Sequence, residues 1–394
     1  MTQPTAPVTP LVTPPVTALC GVEIFDGEQC WHDQALVIRD GRIDALMPRD
    51  AVPADAAIVE LGGGLLAPGF IDVQVNGGGG ILFNDAPTVE GIRTMADAHA
   101  RFGTTALLPT LITDRPAVTD AAIAAVRSAL DQGVAGCLGL HLEGPFLAAT
   151  RKGAHDPALI RAMDAHDVQV LTEAGVAPLV LTVAAETVPP ETIRRLVDAG
   201  ILVSIGHSDT DYDGAMAAFA AGARSVTHLF NAMSPLGHRA PGLVGAALDA
   251  GDVWCGLIAD GFHVHPAALG IALRAKRGTG RGILVTDAMS TVGVDADSFM
   301  LNGRRVRRDA GRLTLDDGTL AGSDLTMIGA VRFMIDQVGV ERDVALRMAS
   351  LYPAQFLGLA DQGFGRLVPG GPADIVHLTP AFEVGGVWRG GRWG

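Results

Sequence analysis

The sequence predicts an α/β fold built on a (β/α)8 barrel, and three observations support this. Eight short apolar runs rich in Val, Ile and Leu recur between about residues 69 and 288. Ala-rich segments with helical spacing of apolar residues separate these runs, and several of the segments end at Gly. The flanking regions change character, because short β pieces with turn residues replace the helices there. A doubly wound open sheet is the main structural alternative.

Each apolar run has the length and composition of a buried strand. The candidate strands are GFIDVQ (69–74), TTALLP (104–109), CLGLHLE (137–143), LVLTVA (179–184), LVSIGH (202–207), SVTHLF (225–230), VWCGLIAD (253–260) and ILVTDA (283–288).

The flanks predict a second, smaller β domain. Residues 18–66 contain short strands and a turn signal at Asp40-Gly41, and residues 363–394 are punctuated by Gly and Pro in a similar way. Neither flank can bury much surface by itself, so we expect them to pair with each other beside a catalytic barrel of residues 67–362. Residues 1–17 are rich in Pro and Thr and predict a flexible extension.

Composition excludes several classes of protein. Asp and Glu number 43 against 29 Lys and Arg, which gives a formal charge of -14 and argues against nucleic-acid binding. No apolar run reaches the roughly 18 residues of a membrane span, and the first 20 residues lack the features of a secretory signal. The four cysteines are scattered without CxxC spacing, which predicts free thiols in a reducing, cytoplasmic compartment.

Polar residues collect at the carboxyl ends of the candidate strands. Glu143 ends the third strand, His207 the fifth, and His228 and Asp287 lie near the ends of the sixth and eighth. In a barrel these ends converge on the face where active sites lie. Two histidines and a carboxylate are the ligands of a catalytic metal site with an open position, and a further carboxylate can act as general base.

Loops after the third, sixth and seventh strands, and one later Gly-containing loop, carry positive and polar groups that an anionic substrate would need in so acidic a protein. These loops are RKGAHDP (151–157), NAMSPLGHRAPG (231–242), DGFHVHP (260–266) and LAGSDLTM (320–327).

Ten motifs in order along the chain resemble the amidohydrolase superfamily, and within it the N-acetylglucosamine-6-phosphate deacetylases. HLEGPF, THLFNAM and DGFHVHP are the most specific, whereas GHSD or TDA alone would be weak. The resemblance implies a distorted TIM-like barrel of the amidohydrolase type with a small β-sandwich made from both chain ends. It also implies hydrolysis of N-acetyl-D-glucosamine 6-phosphate to D-glucosamine 6-phosphate and acetate.

The resemblance also implies a role for each matched residue. The metal ligands would be Glu143, His207 and His228, with Asp287 as catalytic acid and base and His155 polarising the substrate carbonyl. The implied substrate-binding residues are Ala154, His155, Asn231, Ala232, Arg239, Asp260, His263, Leu320, Ala321 and Gly322. Members of the family are usually homodimers, in which the residue matching Arg239 can reach the neighbouring active site.

The first strand carries amides where many amidohydrolases have two histidines. Gln74 and Asn76 are poor ligands for a transition metal, so we expect one divalent ion per subunit, with the amides contacting the metal water or orienting Glu143. Zinc is the expected ion, and Fe, Co or Mn also suit the ligand set.

Three alternatives stay open at this point. The substrate can be N-acetylgalactosamine 6-phosphate, because no residue here decides the configuration at C4. Another amidohydrolase acting on a different N-acyl or cyclic amide is the second alternative, and the absence of Lys in LVLTVA argues against a lysine-bridged binuclear site. A non-catalytic scaffold is the remote third, and it would be expected to have lost metal ligands that this chain retains.

Overall fold

The predicted barrel is present in the computed structural model, which describes residues 16–393. Its eight parallel strands are numbered here in chain order, and each pairs with the next. They are β1 (Phe70–Val75), β2 (Thr104–Ile112), β3 (Leu140–Glu143), β4 (Leu179–Val183), β5 (Leu202–Ile205), β6 (Ser225–Val226), β7 (Trp254–Leu257) and β8 (Gly282–Leu284). A bridge between Val75 and Ala288 joins the first strand to the segment after the last, so the sheet is nearly closed and the open-sheet alternative is wrong.

Helices follow the strands and cover the outside of the barrel, as the spacing of apolar residues predicts. For example, Ile92, Met95 and Ala96 of the first helix are buried against the sheet. The helices are Val89–Ala100, Pro116–Asp131, Ala165–Thr172, Pro190–Asp198, Tyr212–Ala220, Gly242–Asp249, Pro266–Ala275, Met327–Phe333 continuing as the π-helix Met334–Val338, Arg342–Ala349 and Leu351–Phe356, with short 3-10 turns at Arg49–Ala51, Ala149–Arg151 and Ala360–Gln362.

Strands from both flanks meet in one six-stranded sheet. Ile375–Leu378 pairs antiparallel with Leu65–Pro68, which links the two flanks directly. The order is Arg392–Trp393, Val384–Arg389, Ile375–Leu378, Leu65–Pro68, Glu23–Phe25 and Cys30–Trp31.

A four-stranded sheet packs beside it, in the order Arg42–Pro48, Gln34–Arg39, Val16–Cys20 and Ala57–Glu60. Leu36, Leu66 and Trp388 belong to one buried cluster that holds the two sheets together. The domain limits stay a prediction, although the strand Leu65–Pro68 carries the six-stranded sheet across residue 66. Val16 and Thr17 already belong to a strand, and the rest of the expected extension lies outside the described residues.

A three-stranded antiparallel sheet is inserted after β8, and the sequence did not predict it. Its strands are Ser298–Leu301, Arg304–Asp309 and Arg312–Leu315. Leu301, Val306 and Leu313 pack against Ile112 and Met289 at the mouth of the barrel. A small hairpin, Gly77–Gly78 with Ile81–Leu82, follows β1 where the sequence has four glycines.

Two further observations bear on the expectations from composition. The four cysteines are free. Within residues 16–393, no helix has the length and apolar character needed to cross a membrane.

Candidate active site

A cavity of about 210 Å³ opens at the carboxyl ends of the barrel strands. This is the end of the barrel at which the sequence places the site. The predicted metal ligands and the predicted acid/base all line it, namely Glu143, His207, His228 and Asp287.

Glu143, His207 and His228 converge on one point of this cavity. Oε1 of Glu143 lies 3.0 Å from Nε2 of His207 and 3.0 Å from Nε2 of His228, and the two Nε2 atoms are 3.1 Å apart. All three side chains are buried. Their donor atoms are close enough together to hold one ion, and two imidazole nitrogens with a carboxylate oxygen form a catalytic ligand set with room for water.

The backbone at these residues explains why the strands end where they do. Glu143 is the last residue of β3, whereas His207 and His228 each follow the end of their strand by two residues. The φ angles of His207 and His228 are 47° and 33°, in the left-handed region that non-glycine residues rarely adopt. Backbone strain of this kind clusters at functional sites, where surrounding structure maintains it.

The electrostatics of the cluster also suit a bound cation. Burial opposes ionisation of Glu143, but hydrogen bonds from His207 and His228 hold its pKa well below the usual range. Burial likewise opposes a charge on His228, yet the Glu143 carboxylate raises the His228 pKa. The buried carboxylate thus attracts positive charge to its position, and a divalent ion would supply that charge while leaving both imidazoles neutral.

His207 is oriented by the loop after β3. Its Nδ1 lies 2.8 Å from the backbone carbonyl oxygen of Arg151 and donates to it, which leaves the Nε2 lone pair directed at the cluster. Metal-bound histidines commonly make such a bond. The Arg151 side chain points elsewhere and pairs with Asp209 at 2.7 Å.

Asp287 is a buried carboxylate held by the two amides of the first strand. Its Oδ1 accepts a hydrogen bond of 2.6 Å from the Asn76 amide and one of 3.2 Å from the Gln74 amide. Burial, followed by the neighbouring Glu143, raises the pKa of Asp287 above its usual range. A carboxyl group with a raised pKa can both take up and release a proton near neutral pH.

Gln74 links the acid/base to the metal cluster. Its Nε2 also donates to Oε2 of Glu143 at 3.1 Å, so a single amide holds two carboxylates in place. Gln74 is buried behind the cavity, whereas Asn76 lines it. Both amides donate to carboxylates here, and neutral amides are poor ligands for a transition metal.

His155 lies beside the cluster, as its predicted role requires. Its ring stands edge-on to that of His207, with centroids 4.3 Å apart, and its Nδ1 lies 2.8 Å from the hydroxyl oxygen of Thr113. Burial, followed by the neighbouring His207, lowers the pKa of His155 to about 3. The imidazole is therefore neutral and can donate a hydrogen bond from one nitrogen.

The predicted substrate-binding residues separate into three groups. Those that line the cavity are Ala154, His155, Asn231, Ala232, His263, Leu320 and Gly322. Asp260 and Ala321 lie behind the lining: Asp260 accepts a hydrogen bond of 2.6 Å from Nδ1 of His263, and Ala321 is buried beneath the loop. Arg239 is exposed and lies in a separate surface groove with Tyr212 and Pro241.

Several lining residues were not predicted from the sequence. Ile112, Ile258 and Met289 form apolar parts of the wall, and Thr319 stands beside Leu320 at its edge. The apolar residues read as ordinary strand or core positions, and Thr319 reaches the cavity only because of the inserted sheet, so no sequence signal marked them.

A family model described as the amidohydrolase family matches residues 65–394. The chain belongs to the amidohydrolase family. The resemblance inferred from its motifs is thereby confirmed.

Similar proteins narrow the comparison further within this family. The N-acetylgalactosamine-6-phosphate deacetylase of Shewanella is 42% identical over 377 residues, which covers 96% of this chain and 92% of the relative. The N-acetylglucosamine-6-phosphate deacetylase of Haemophilus influenzae is 35% identical over 379 residues, covering 95% and 98%. The crystal structure of N-acetylglucosamine-6-phosphate deacetylase from Pasteurella multocida superimposes with a TM-score of 0.93 at 35% identity, covering 96% of this chain and 99% of that one.

Proposed function

We propose that this amidohydrolase removes the acetyl group of N-acetyl-D-glucosamine 6-phosphate, releasing acetate and D-glucosamine 6-phosphate in amino-sugar catabolism or recycling. The observation that carries the proposal is the convergence of Glu143, His207 and His228 beside the buried carboxylate of Asp287. The full-length similarity to deacetylases of N-acetylated sugar phosphates supports this choice of substrate.

Glu143, His207 and His228 would hold one divalent ion, to which His228 would present Nε2. Its other ring nitrogen, Nδ1, is buried and has no hydrogen-bond partner among the described residues. When bound, the ion acts as a Lewis acid that acidifies a water molecule and polarises the acetamide carbonyl. Zinc is our first choice, while Fe, Co and Mn share the preference for imidazole and carboxylate.

Asp287 would move the proton in both halves of the reaction. Its carboxylate takes the proton from the attacking water and then delivers it to the sugar nitrogen as the amide bond breaks. Gln74 and Asn76 both donate to Oδ1, so the second oxygen of the carboxylate stays free for this transfer.

His155 would stabilise the negative charge that develops on the acetamide oxygen. The Thr113 hydroxyl, when it donates to Nδ1, places the ring proton on Nε2, from which the imidazole can donate to the substrate. The low pKa of about 3 keeps His155 neutral, so it acts by hydrogen bonding and not as an acid.

The sugar phosphate would be held by the loops after β6, β7 and β8. Asn231, Ala232 and His263 line one side of the cavity, and Asp260 fixes the ring of His263. Leu320 and Gly322 present backbone on the other side, next to the buried Ala321.

We further propose a homodimer of the cytoplasm in which Arg239 of each subunit contacts the phosphate in its neighbour's cavity. Two observations support this: Arg239 is exposed and does not line its own cavity, and Leu236 beside it is 53% exposed.

N-acetyl-D-galactosamine 6-phosphate is the second candidate substrate. The specific observation in its favour is the 42% identity to the Shewanella N-acetylgalactosamine-6-phosphate deacetylase. Because both sugars carry the same acetamide and phosphate, the same residues would act on either one.

Acetate release from the two sugar phosphates, measured with and without a chelator, tests the proposal. We expect turnover that the chelator abolishes and added metal restores, with the ratio of kcat/KM for the two sugars identifying the preferred substrate. Asp287→Asn is the matched control, since it should retain metal while turnover falls about 10²–10⁴-fold. Absence of metal-dependent acetate release from both sugars would overturn the proposal.

A further inference from the structure

The barrel is closed at a seam between β1 and the segment that follows β8, and Asp287 lies on this seam. Three backbone hydrogen bonds of 2.9 Å cross it, one from the Asp287 N–H to the Gln74 carbonyl and two from Asn76 and Gly77 to the Ala288 carbonyl. The strands from β2 to β8 instead pair through parallel ladders without register shifts.

Asp72 adds a side-chain connection across the same seam. Its side chain is fully buried. Oδ2 accepts a hydrogen bond of 2.5 Å from the Thr286 hydroxyl, and Oδ1 accepts from the backbone N–H groups of Gln74 at 3.2 Å and Thr286 at 3.3 Å. The Asp72 carboxylate therefore binds Thr286, which precedes Asp287, and also the backbone of Gln74, whose side-chain amide contacts Asp287.

Thr286 and Asp287 are also held from the far side of the seam. Ser323 donates from its hydroxyl to the Thr286 carbonyl at 2.5 Å and from its N–H to the Asp287 carbonyl at 2.9 Å. Asp287 itself has a φ of 52°, a conformation that persists only where neighbouring contacts impose it.

Burying a carboxylate at this position is unfavourable for stability. Burial raises the pKa of Asp72 to about 7 against the opposing hydrogen bonds from Thr286, so the group is costly to ionise there. A seam that needed only closure could be packed with apolar side chains at lower cost. The carboxylate does what apolar packing cannot, because it fixes three donors from two residues in direction as well as in distance.

We propose that Asp72 is a positioning residue that sets the location of the Asp287 carboxylate by fixing Thr286 and Gln74 across the seam. This inference rests on the proposed function for the role of Asp287. A displacement of about 1 Å in a catalytic group can reduce the rate on the order of 100-fold, so a hydrogen-bonded clamp one residue away has a large effect on turnover.

The sharpest test compares Thr286→Val with Thr286→Ser. Valine keeps the shape of threonine and loses the hydroxyl that Asp72 accepts from, whereas serine keeps the hydroxyl. We expect Thr286→Val and Asp72→Asn each to lower kcat about 10–100-fold with KM within about twofold of wild type, and Thr286→Ser to restore most of the rate. The double variant should be little worse than Asp72→Asn alone, because the Thr286 hydroxyl acts through the Asp72 carboxylate that this change already removes.

Controls separate positioning from general damage. Metal content should remain one ion per chain in every variant. Asp374→Asn changes another carboxyl, which is partly buried beside the six-stranded sheet and accepts from the Gly390 N–H, and it should alter the melting temperature without altering kcat. Equal losses of kcat in Thr286→Val and Thr286→Ser, or additive losses in the double variant, would overturn the proposal.

Hydrogen exchange supplies a readout that does not depend on activity. In metal-free protein, the peptide that contains the Asp287 N–H should exchange faster in Asp72→Asn and Thr286→Val than in wild type, while a peptide from β4 should be unchanged. Unchanged exchange at Asp287 would contradict the inference even if the wild-type enzyme proved inactive on both sugars. Failure of the positioning role is therefore distinguishable from failure of the proposed function.

Discussion

The side-chain amide of Asn76 donates a hydrogen bond of 2.6 Å to Oδ1 of Asp287. This contact joins the end of the first barrel strand to the residue proposed as acid and base. The sequence had assigned the amides of this region to the metal water or to Glu143, whereas Asn76 contacts Asp287.

Replacing Asn76 with Ala should lower kcat about 10–100-fold, because Asp287 loses the shorter of its two amide contacts and its orientation. Metal content should not change, since the Asn76 amide donates to Asp287 and is a poor ligand for a transition metal. Steady-state kinetics and metal analysis measure the two effects. Gln169→Ala removes an exposed amide from the helix Ala165–Thr172 and serves as the control; a normal kcat in Asn76→Ala would contradict the role.

Metal analysis of the purified protein should find one divalent ion per chain. Gln74 and Asn76 offer only neutral amides, and they are already engaged with Glu143 and Asp287. The double variant Gln74→His/Asn76→His should raise the stoichiometry by placing two imidazoles beside those carboxylates. Two tightly bound ions in the wild-type chain would refute the single-ion prediction.

Arg239→Ala should raise KM for the sugar phosphate, with less effect on the unphosphorylated sugar, because an arginine binds phosphate through its planar fork. If Arg239 acts in the neighbouring cavity, mixing Arg239→Ala with Asp287→Asn should form hybrid dimers that contain one intact site. Activity recovered on mixing, measured against each variant alone, checks this. No recovery after demonstrated subunit exchange would place Arg239 outside the neighbour's site.

Asp374→Asn should stabilise the protein above pH 6 and make little difference near pH 4. Burial raises the pKa of Asp374 to about 6, whereas the same carboxyl in the unfolded chain titrates near 3.9. The folded state therefore binds more protons between these values, and stability falls as pH rises from about 4 to 6. The gain above pH 6 is on the order of 3 kcal/mol or less.

Thermal or denaturant unfolding at several pH values measures this difference. The control is Asp97→Asn, because the Asp97 side chain is 66% exposed and its contact with Arg389 lies at the surface. A gain from Asp374→Asn that is equal at pH 4 and pH 7.5 would show that the charge of the carboxyl is not the cause.

Gly77→Ala should destabilise the fold by about 2 kcal/mol or more, because an added Cβ would lie 2.4 Å from the Ile81 carbonyl oxygen and 2.8 Å from the Ser290 nitrogen. Both are backbone atoms, so neither can yield as a flexible side chain would. Gly251→Ala is the matched control, with its nearest atom at an ordinary 3.6 Å. Equal melting temperatures for the two variants would contradict the prediction.

The sequence predicted the barrel well because each strand is a short apolar run with a clear boundary. It overestimated the lengths of the strands that carry site residues. SVTHLF was expected to be a strand throughout, but the pairing stops at Val226 and His228 adopts a positive φ. Apolar patterning cannot reveal this, because a positive φ at a non-glycine residue is maintained by the surrounding structure and not by local preference.

The inserted sheet illustrates a second limit. In the strand Arg304–Asp309 only Val306 is well buried and all other residues are charged, so the sequence pattern resembles that of a solvated loop. Its partners supply the apolar surface that makes it a strand. The positions of Arg239 and Ala321 were equally hidden, since a motif identifies a loop but does not say which of its side chains faces the cavity.

The pairing of Leu65–Pro68 with Ile375–Leu378 has a consequence for synthesis of the protein. The ribosome makes the first of these strands before the whole barrel and the second after it. At typical translation rates the earlier strand waits on the order of tens of seconds for its partner. Any part of the barrel that assembles during synthesis does so while one edge of this sheet is still open. Loss of the last strands would leave Leu65–Pro68 as an exposed apolar edge prone to aggregation.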